Sequence, residues 1–203
     1  MAGFYRRYVK RGLDIAFVLL LAPIALPMIV ALAALVALDG ASPFYRQARV
    51  GRGGGVFSLV KIRTMVPQAE EKLEAYLAAD PAARREWDST QKLKRDPRIT
   101  WIGQILRKSS LDELPQLWNV LRGDMSLIGP RPMMVDQRPL YPGTAYYALR
   151  PGITGPWQVS DRNESSFADR AKFDTDYHND LSLATDLSIL VRTVGVVIRC
   201  TGY

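Results

Sequence analysis

The stretch from Ile15 to Leu38 contains no charged and no polar side chain. That feature limits what the chain can fold into, because so apolar a surface has to be covered by protein or by lipid. As a straight helix rising ~1.5 Å per residue it would reach roughly 36 Å, enough to cross a bilayer. A cleaved signal peptide fits poorly: the run is too long, and no small-residue cleavage motif precedes a separate mature domain. Arg6, Arg7, Lys10 and Arg11 stand just before the run, Asp14 just inside that basic flank, and Asp39-Gly40 ends it. The flank faces the cytoplasm on the positive-inside argument. Pro23 and Pro27 fall in the middle, where each removes a hydrogen bond and bends a helix. A spanning helix tolerates this, but two prolines four apart also suit a re-entrant hairpin that dips into one leaflet and returns. Residue chemistry alone leaves both topologies open.

The chain has 203 residues, enough for one domain with a real core but hardly two. Residues 1–40 therefore read as a membrane-inserted element and 41–203 as a single domain lying on the membrane face. Lys and Arg number 27 against 20 Asp and Glu, a net charge of +7. That balance suits phospholipid headgroups, a phosphorylated substrate or nucleic acid. No nucleic acid partner is expected, since neither a reading motif nor an aromatic-basic platform is present. The one cysteine, Cys200, rules out an internal disulfide and fits a reducing compartment, and the lone His178 makes a zinc site a poor fit.

The chemistry concentrates between Arg107 and Pro132. Asp112 and Glu113 are adjacent carboxylates, followed by Leu114, Leu117, Trp118 and Leu121 at helical spacing. Pro115 belongs in a first turn, so the helix is expected to begin at or just after Ser110 to Asp112, with the pair at its positive end. The structural alternative is a capping box, Ser110-x-x-Glu113, or Asp112 as N-cap. The surroundings favour chemistry: Arg107 lies just upstream, and Gly129-Pro130-Arg131-Pro132 frames a guanidinium suited to phosphate or carboxylate. Carboxylates and arginines together are what phosphoryl transfer on a metal-bound diphosphate needs.

S-S-L-D-E-L-P-Q-L-W-N-V-L-R-G-D-M-S-L-I-G-P-R-P resembles the signature block of the bacterial sugar transferases, the monotopic phosphoglycosyl transferases. The resemblance extends over nearly the whole chain and is weakest in 67–98. It implies a proline-broken re-entrant helix entering and leaving on the cytoplasmic face of the bacterial inner membrane. The family usually has Ser-Pro at that break where this chain has Ala22-Pro23. Arg46-Gln47, Arg49-Val50-Gly51 and Lys61-Ile62-Arg63-Thr64-Met65 also match. They suggest Lys61 and Arg63 as contacts to substrate phosphate or lipid headgroups; otherwise both would read as the solvent face of an edge strand. Gly152 to Asn163 matches a further motif, with Asp161 where many members have glycine, beside Arg162.

Elsewhere the pattern is plainer. Phe44–Val50 and Val56–Ile62 read as two strands flanking Gly51-Arg-Gly-Gly-Gly55, a flexible turn rather than a P-loop, whose spacing it lacks. Residues 67–98 read as a solvated helical pair with a thin stripe of Leu73, Tyr76 and Leu77. This elaboration could cover a site or support a homodimer. Trp101 suits a membrane anchor. Tyr141, Tyr146 and Tyr147 suit either an interfacial belt or the core. Phe167 to Asp180 reads as a polar helix. Leu181 to Cys200 reads as an amphipathic helix on the membrane interface, Arg192 and Arg199 reaching headgroups, or as a core helix. The fold class expected is α/β (α+β): helices around a small sheet, with a membrane hairpin and interfacial helices.

The resemblance further implies transfer of a sugar-1-phosphate from a UDP-sugar to undecaprenyl phosphate. In that reading Asp112 is the nucleophile, Glu113 a ligand for Mg²⁺, and Arg107 and Arg131 the phosphate clamp. Pro130 and Pro132 frame that clamp; Lys61, Arg63 and Arg162 stand behind it. Asp124 is less well placed, since Gly-Asp is also a turn. Two other functions fit the same residues: a non-catalytic membrane scaffold, and a nucleotide-sugar phosphodiesterase using water.

Overall fold

The computed structural model describes residues 4–90, 93, 96–160 and 167–198. Asp161, Arg162, Arg199 and Cys200 lie outside the described residues. Among the described residues the fold is helix-rich with two small sheets. The apolar run forms one helix, α1 (Lys10–Val36), entered through a π-helical turn at Tyr5–Val9. Pro23 and Pro27 both lie inside it. Helical backbone runs continuously through both instead of stopping between two separate helices. Each proline removes one hydrogen bond, and the leucines, alanines and isoleucines around them carry the helix past the gap. Gly40, at φ +81°, stops the chain after a short turn at Ala37–Asp39, a left-handed position that glycine adopts freely.

Both ends of α1 are fastened to the same body. At the start, Lys10 pairs with Asp186 at 2.7 Å, and Arg11 donates to the carbonyls of Val120 and Leu121. Buried Asp14 accepts from the Ser126 hydroxyl and the Leu127 N–H, both at 3.0 Å. At the other end Val36 packs with Ile62 and Leu106. Between them Leu20, Ile24, Leu26 and Val30 stand exposed. The basic flank therefore serves the fold: Lys10 and Arg11 as above, and Arg6 bonding His178 and the Ala148 carbonyl.

β1 (Phe44–Val50) and β2 (Val56–Ile62) pair antiparallel from Phe44 opposite Ile62 to Val50 opposite Val56. The glycine-rich segment between them is the hairpin turn, with Gly53 and Gly54 at positive φ. α2 (Ala69–Ala79) and α3 (Pro81–Thr90) follow; Leu73, Leu77 and Ala83 form a small core of their own with Tyr76 and Trp87. α4 (Trp101–Ser109) is capped by Thr100, whose hydroxyl accepts from Gly103 N–H at 2.9 Å, and its Trp101 is exposed. α5 (Gln116–Arg122) leads into β3 (Ser126–Ile128), which pairs in parallel with β4 (Gly152–Thr154). Between those strands lie a 3₁₀ turn at Arg138–Leu140 and one short helix, α6 (Ala145–Ala148). α7 (Arg170–Asn179) and α8 (Leu183–Ile198) close the described chain.

Two expectations about surfaces resolve here. Tyr141 and Tyr146 are buried and make edge contacts with each other and with Tyr147, so they are core and not an interfacial belt. α8 is divided: Ile189 enters the core with Tyr177 and Leu181, while Leu183, Leu187, Val191 and Val194 face outward. Its Arg192 donates to the Val159 carbonyl at 3.0 Å instead of reaching away.

Candidate active site

The carboxylate pair sits on a turn, not on the helix. Ser110 takes a left-handed conformation (φ +58°) and ends α4; Leu111–Glu113 form a single 3₁₀ turn, and α5 begins only at Gln116. The cause is Pro115, which has no N–H to return to Leu111. The turn closes instead on shorter bonds, Glu113 N–H to the Ser110 carbonyl and Leu114 N–H to the Leu111 carbonyl. The Ser110 hydroxyl makes no capping bond, so the capping box is not built.

Positive charge reaches the pair from the hairpin. Lys61, on β2, places its Nζ 2.6 Å from Glu113 Oε1 and 3.6 Å from Asp112 Oδ2. The two carboxylates thus converge on one cation. Asp112 is buried, and burial pushes its pKa above the ordinary carboxylate range. Lys61 opposes that rise, Glu113 adds to it, and Arg107 opposes it. Arg107 is itself held by a bond from its Nε to the Thr64 hydroxyl at 2.9 Å, with burial lowering its pKa.

What keeps β2 against this turn is Asn119, which sequence reasoning passed over. It is fully buried; its Oδ1 accepts from Val60 N–H at 3.1 Å and its Nδ2 donates to the Ser58 carbonyl at 2.8 Å. The side chain completes the open edge of β2 beside Lys61 and locks α5 to it. Asp124 has a structural place here, 3.2 Å from Asn119 Nδ2 and 3.4 Å from Arg122.

The Gly129–Pro132 loop is mounted on the strand ends. Gly129 N–H donates to the Thr154 carbonyl and Gly152 N–H to the Pro130 carbonyl. Beyond it, Val50 N–H donates to the Met133 carbonyl, and Tyr146 bridges the Met133 N–H and the Val50 carbonyl. Pro130 and Pro132 are buried, and Arg131 stands over Trp157. Arg63 is not brought to the pair. Its five donor bonds run to Asp39, twice, and to the carbonyls of Ser42, Met65 and Val36, where they secure the end of α1. The expected phosphate contact is thereby committed to structure, because a guanidinium has five N–H donors and all are used.

Among the described residues no group of three or more His, Cys, Asp or Glu side chains converges as a metal site. Asp112 and Glu113 supply at most two carboxylates. That donor set fits Mg²⁺ held jointly by protein and substrate diphosphate, since Mg²⁺ keeps several waters and takes one or two carboxylates.

A family model described as bacterial sugar transferase matches residues 5–200. The chain belongs to the bacterial sugar transferase family. It is 48% identical over its whole length to a UDP-galactose-lipid carrier transferase of Erwinia amylovora, covering 43% of that protein. It is 46% identical over 97% of its length to an undecaprenyl-phosphate galactose phosphotransferase of Salmonella typhimurium, covering 42% of it. An exopolysaccharide production protein, ExoY, of Sinorhizobium fredii is 45% identical over 95% of this chain and is covered to 87%. The chain thus spans less than half the length of the first two relatives and most of the third.

With membership established, Lys61 offers a direct check on the site. Replacing it in Lys61→Met removes the charge that most favours ionised Asp112. On the reading of Asp112 as the reacting carboxylate, the acid limb of the kcat/KM pH profile is expected to move to higher pH, since its raised pKa rises further without Lys61. Activity near neutrality should fall roughly ten-fold or more, and Lys61→Arg should restore the acid limb in part. An unmoved limb would remove Lys61 from this role.

Proposed function

We propose that this protein transfers a sugar-1-phosphate from a UDP-sugar to undecaprenyl phosphate at the cytoplasmic face of the inner membrane. The observation that carries the reading is the buried Asp112 beside Glu113, both held on Lys61, with the charge of Arg107 acting on Asp112. An Asp112 oxygen attacks the phosphorus nearest the sugar; the bond to the bridging oxygen breaks and UMP leaves, giving an aspartyl phospho-sugar. An oxygen of the polyprenol phosphate then attacks that phosphorus and displaces Asp112, forming the polyprenyl-diphospho-sugar. Lys61 and Arg107 keep Asp112 ionised in a desolvated place, and Arg131 binds substrate phosphate. Glu113 is the residue to hold Mg²⁺, which would neutralise the diphosphate when bound.

The membrane reading is that α1 inserts and both its ends stay with the catalytic body. Its exposed apolar middle, between two ends fastened to one domain, supports a re-entrant placement over a straight crossing. The galactose in two relatives' names makes UDP-galactose the first donor to try.

The test is UMP release by detergent-solubilised protein with Mg²⁺ and a panel of UDP-sugars, with and without undecaprenyl phosphate. Release from one sugar that depends on the lipid is expected. Equal release without lipid would mean hydrolysis, and none from folded protein would mean a scaffold.

A further inference from the structure

Three guanidiniums gather at Trp157 and the Gly129–Pro132 loop. Arg131 stands 5.5 Å from the centre of the Trp157 indole ring, and Arg170, the first residue of α7, stands 4.2 Å from the same ring and 4.7 Å from Phe167. Arg49, near the end of β1, is tied to this loop by its Nη1, which donates to the Pro132 carbonyl at 3.0 Å. Among the described residues none of the three forms an ion pair. The Nε atoms of Arg49 and Arg170 are buried without a hydrogen-bond partner there.

Burial, and then repulsion from Arg131, lowers the pKa of both Arg49 and Arg170, the latter to about 10. Asp169 precedes Arg170 in the chain, and Asp174, one turn along α7, is the carboxylate whose charge offsets that of Arg170. It accepts the Tyr141 hydroxyl at 2.8 Å and is pushed up to about 6 by burial. Glu113 offsets some of the charge on Arg49. Half-buried like charges with open N–H groups cost folding free energy unless an anion completes them. Stacking on an indole keeps a guanidinium flat with its donor edge free, the geometry that receives phosphate oxygens in pairs.

We propose that Arg49, Arg131 and Arg170 form an anion-binding corner on Trp157 that takes the donor phosphate leaving with the nucleoside. The assignment rests on the transferase reading for its ligand. When the bond between the two phosphorus atoms' bridging oxygen and the attacked phosphorus breaks, the departing nucleotide gains negative charge. Three cations fixed in advance stabilise that charge as it develops. Arg49 and Arg170 thereby join Arg131 as leaving-group contacts.

A phosphate here has two possible sources, the nucleotide donor or the polyprenol phosphate, and the experiment separates them. Full-length protein in detergent, with chelator present so that no metal contributes, is titrated with inorganic pyrophosphate and with UMP while tryptophan fluorescence is followed. Arg170→Gln and Arg49→Gln should each weaken both ligands about ten-fold, and Arg170→Lys should recover only part, lacking the planar face that stacks. In turnover, the donor KM should rise with the acceptor KM unchanged. Unchanged pyrophosphate affinity in both glutamine variants, with wild-type circular dichroism and melting temperature, would overturn the site. A rise in acceptor KM alone would overturn the donor assignment and give the corner to the lipid phosphate. If Arg170→Gln does not fold, Arg49→Gln and Arg170→Lys carry the same comparison. Should no UDP-sugar turn over at all, the transferase reading fails while the pyrophosphate titration still decides the anion site.

Discussion

Asp112→Asn is expected to lower turnover by at least ~10³-fold, the scale seen when a nucleophile is removed and the rest of a site is left standing. The amide has nearly the shape of the carboxylate but no anionic oxygen to offer phosphorus. Stability should hold or rise slightly, because the substitution removes a charge that burial already disfavours. A scaffold would predict the same stability with no activity to lose, so the decisive measurement is covalent. With sugar-labelled UDP-sugar and no lipid, wild-type protein should retain label and release a burst of UMP approaching one per chain; Asp112→Asn should do neither. Glu113→Gln should behave differently, requiring more Mg²⁺ for whatever activity remains. Turnover in Asp112→Asn above a tenth of wild type would end the nucleophile assignment.

Why the pair was legible and its geometry was not can be said residue by residue. The Asp112-Glu113 doublet, Pro115 and the Gly129–Pro132 loop are local signals, and their identities were readable at once. The two strands and their turn were readable too, because alternation and glycines are local. The 3₁₀ turn was missed because its cause is a missing donor at Pro115 acting back on Leu111, which an apolar period does not record. Arg63 and Arg170 could not be told apart by type: one is saturated by Asp39 and carbonyls, the other rests on Trp157 with Nε unbonded. Asn119 carries no surface signal at all. Its role depends on β2, about sixty residues earlier, as the separations of its bonds to Ser58 and Val60 show. A basic flank next to an apolar run reads as lipid-facing by composition. Here Lys10 and Arg11 found partners more than a hundred residues away, and no sequence window spans that distance.

The same non-local logic sets the second large effect, which concerns backbone and not charge. Gly129, Gly152 and Gly155 meet where β3 and β4 run side by side under the Arg131 loop. A Cβ on Gly155 would overlap the Gly129 carbonyl oxygen, and one on Gly152 would overlap the Gly129 nitrogen. A Cβ on Gly129 would overlap the Arg150 carbonyl oxygen. All three obstacles are main-chain atoms, which cannot swing aside as a side chain does. They also lie within the ladder itself, where Gly129 N–H bonds the Thr154 carbonyl at 2.9 Å and Gly152 N–H bonds the Pro130 carbonyl at 2.8 Å. Gly155→Ala must therefore part the two strands or break those bonds. A loss of about 3 kcal/mol or more is expected. At 2–4 °C per kcal/mol for a chain of this size, that is a fall in melting temperature of roughly 10 °C. Gly12→Ala is the control, since a Cβ there meets nothing within 4 Å. It lies inside α1, where alanine is the better helix former, so its melt should stay level or rise. Any Gly155→Ala protein that survives should lose donor binding more than its stability alone predicts, because Arg131 moves with the strands that carry it. A melt within 2 °C of wild type, with unchanged donor KM, would mean that the strands can part at little cost and that the loop is not held in place by their close approach.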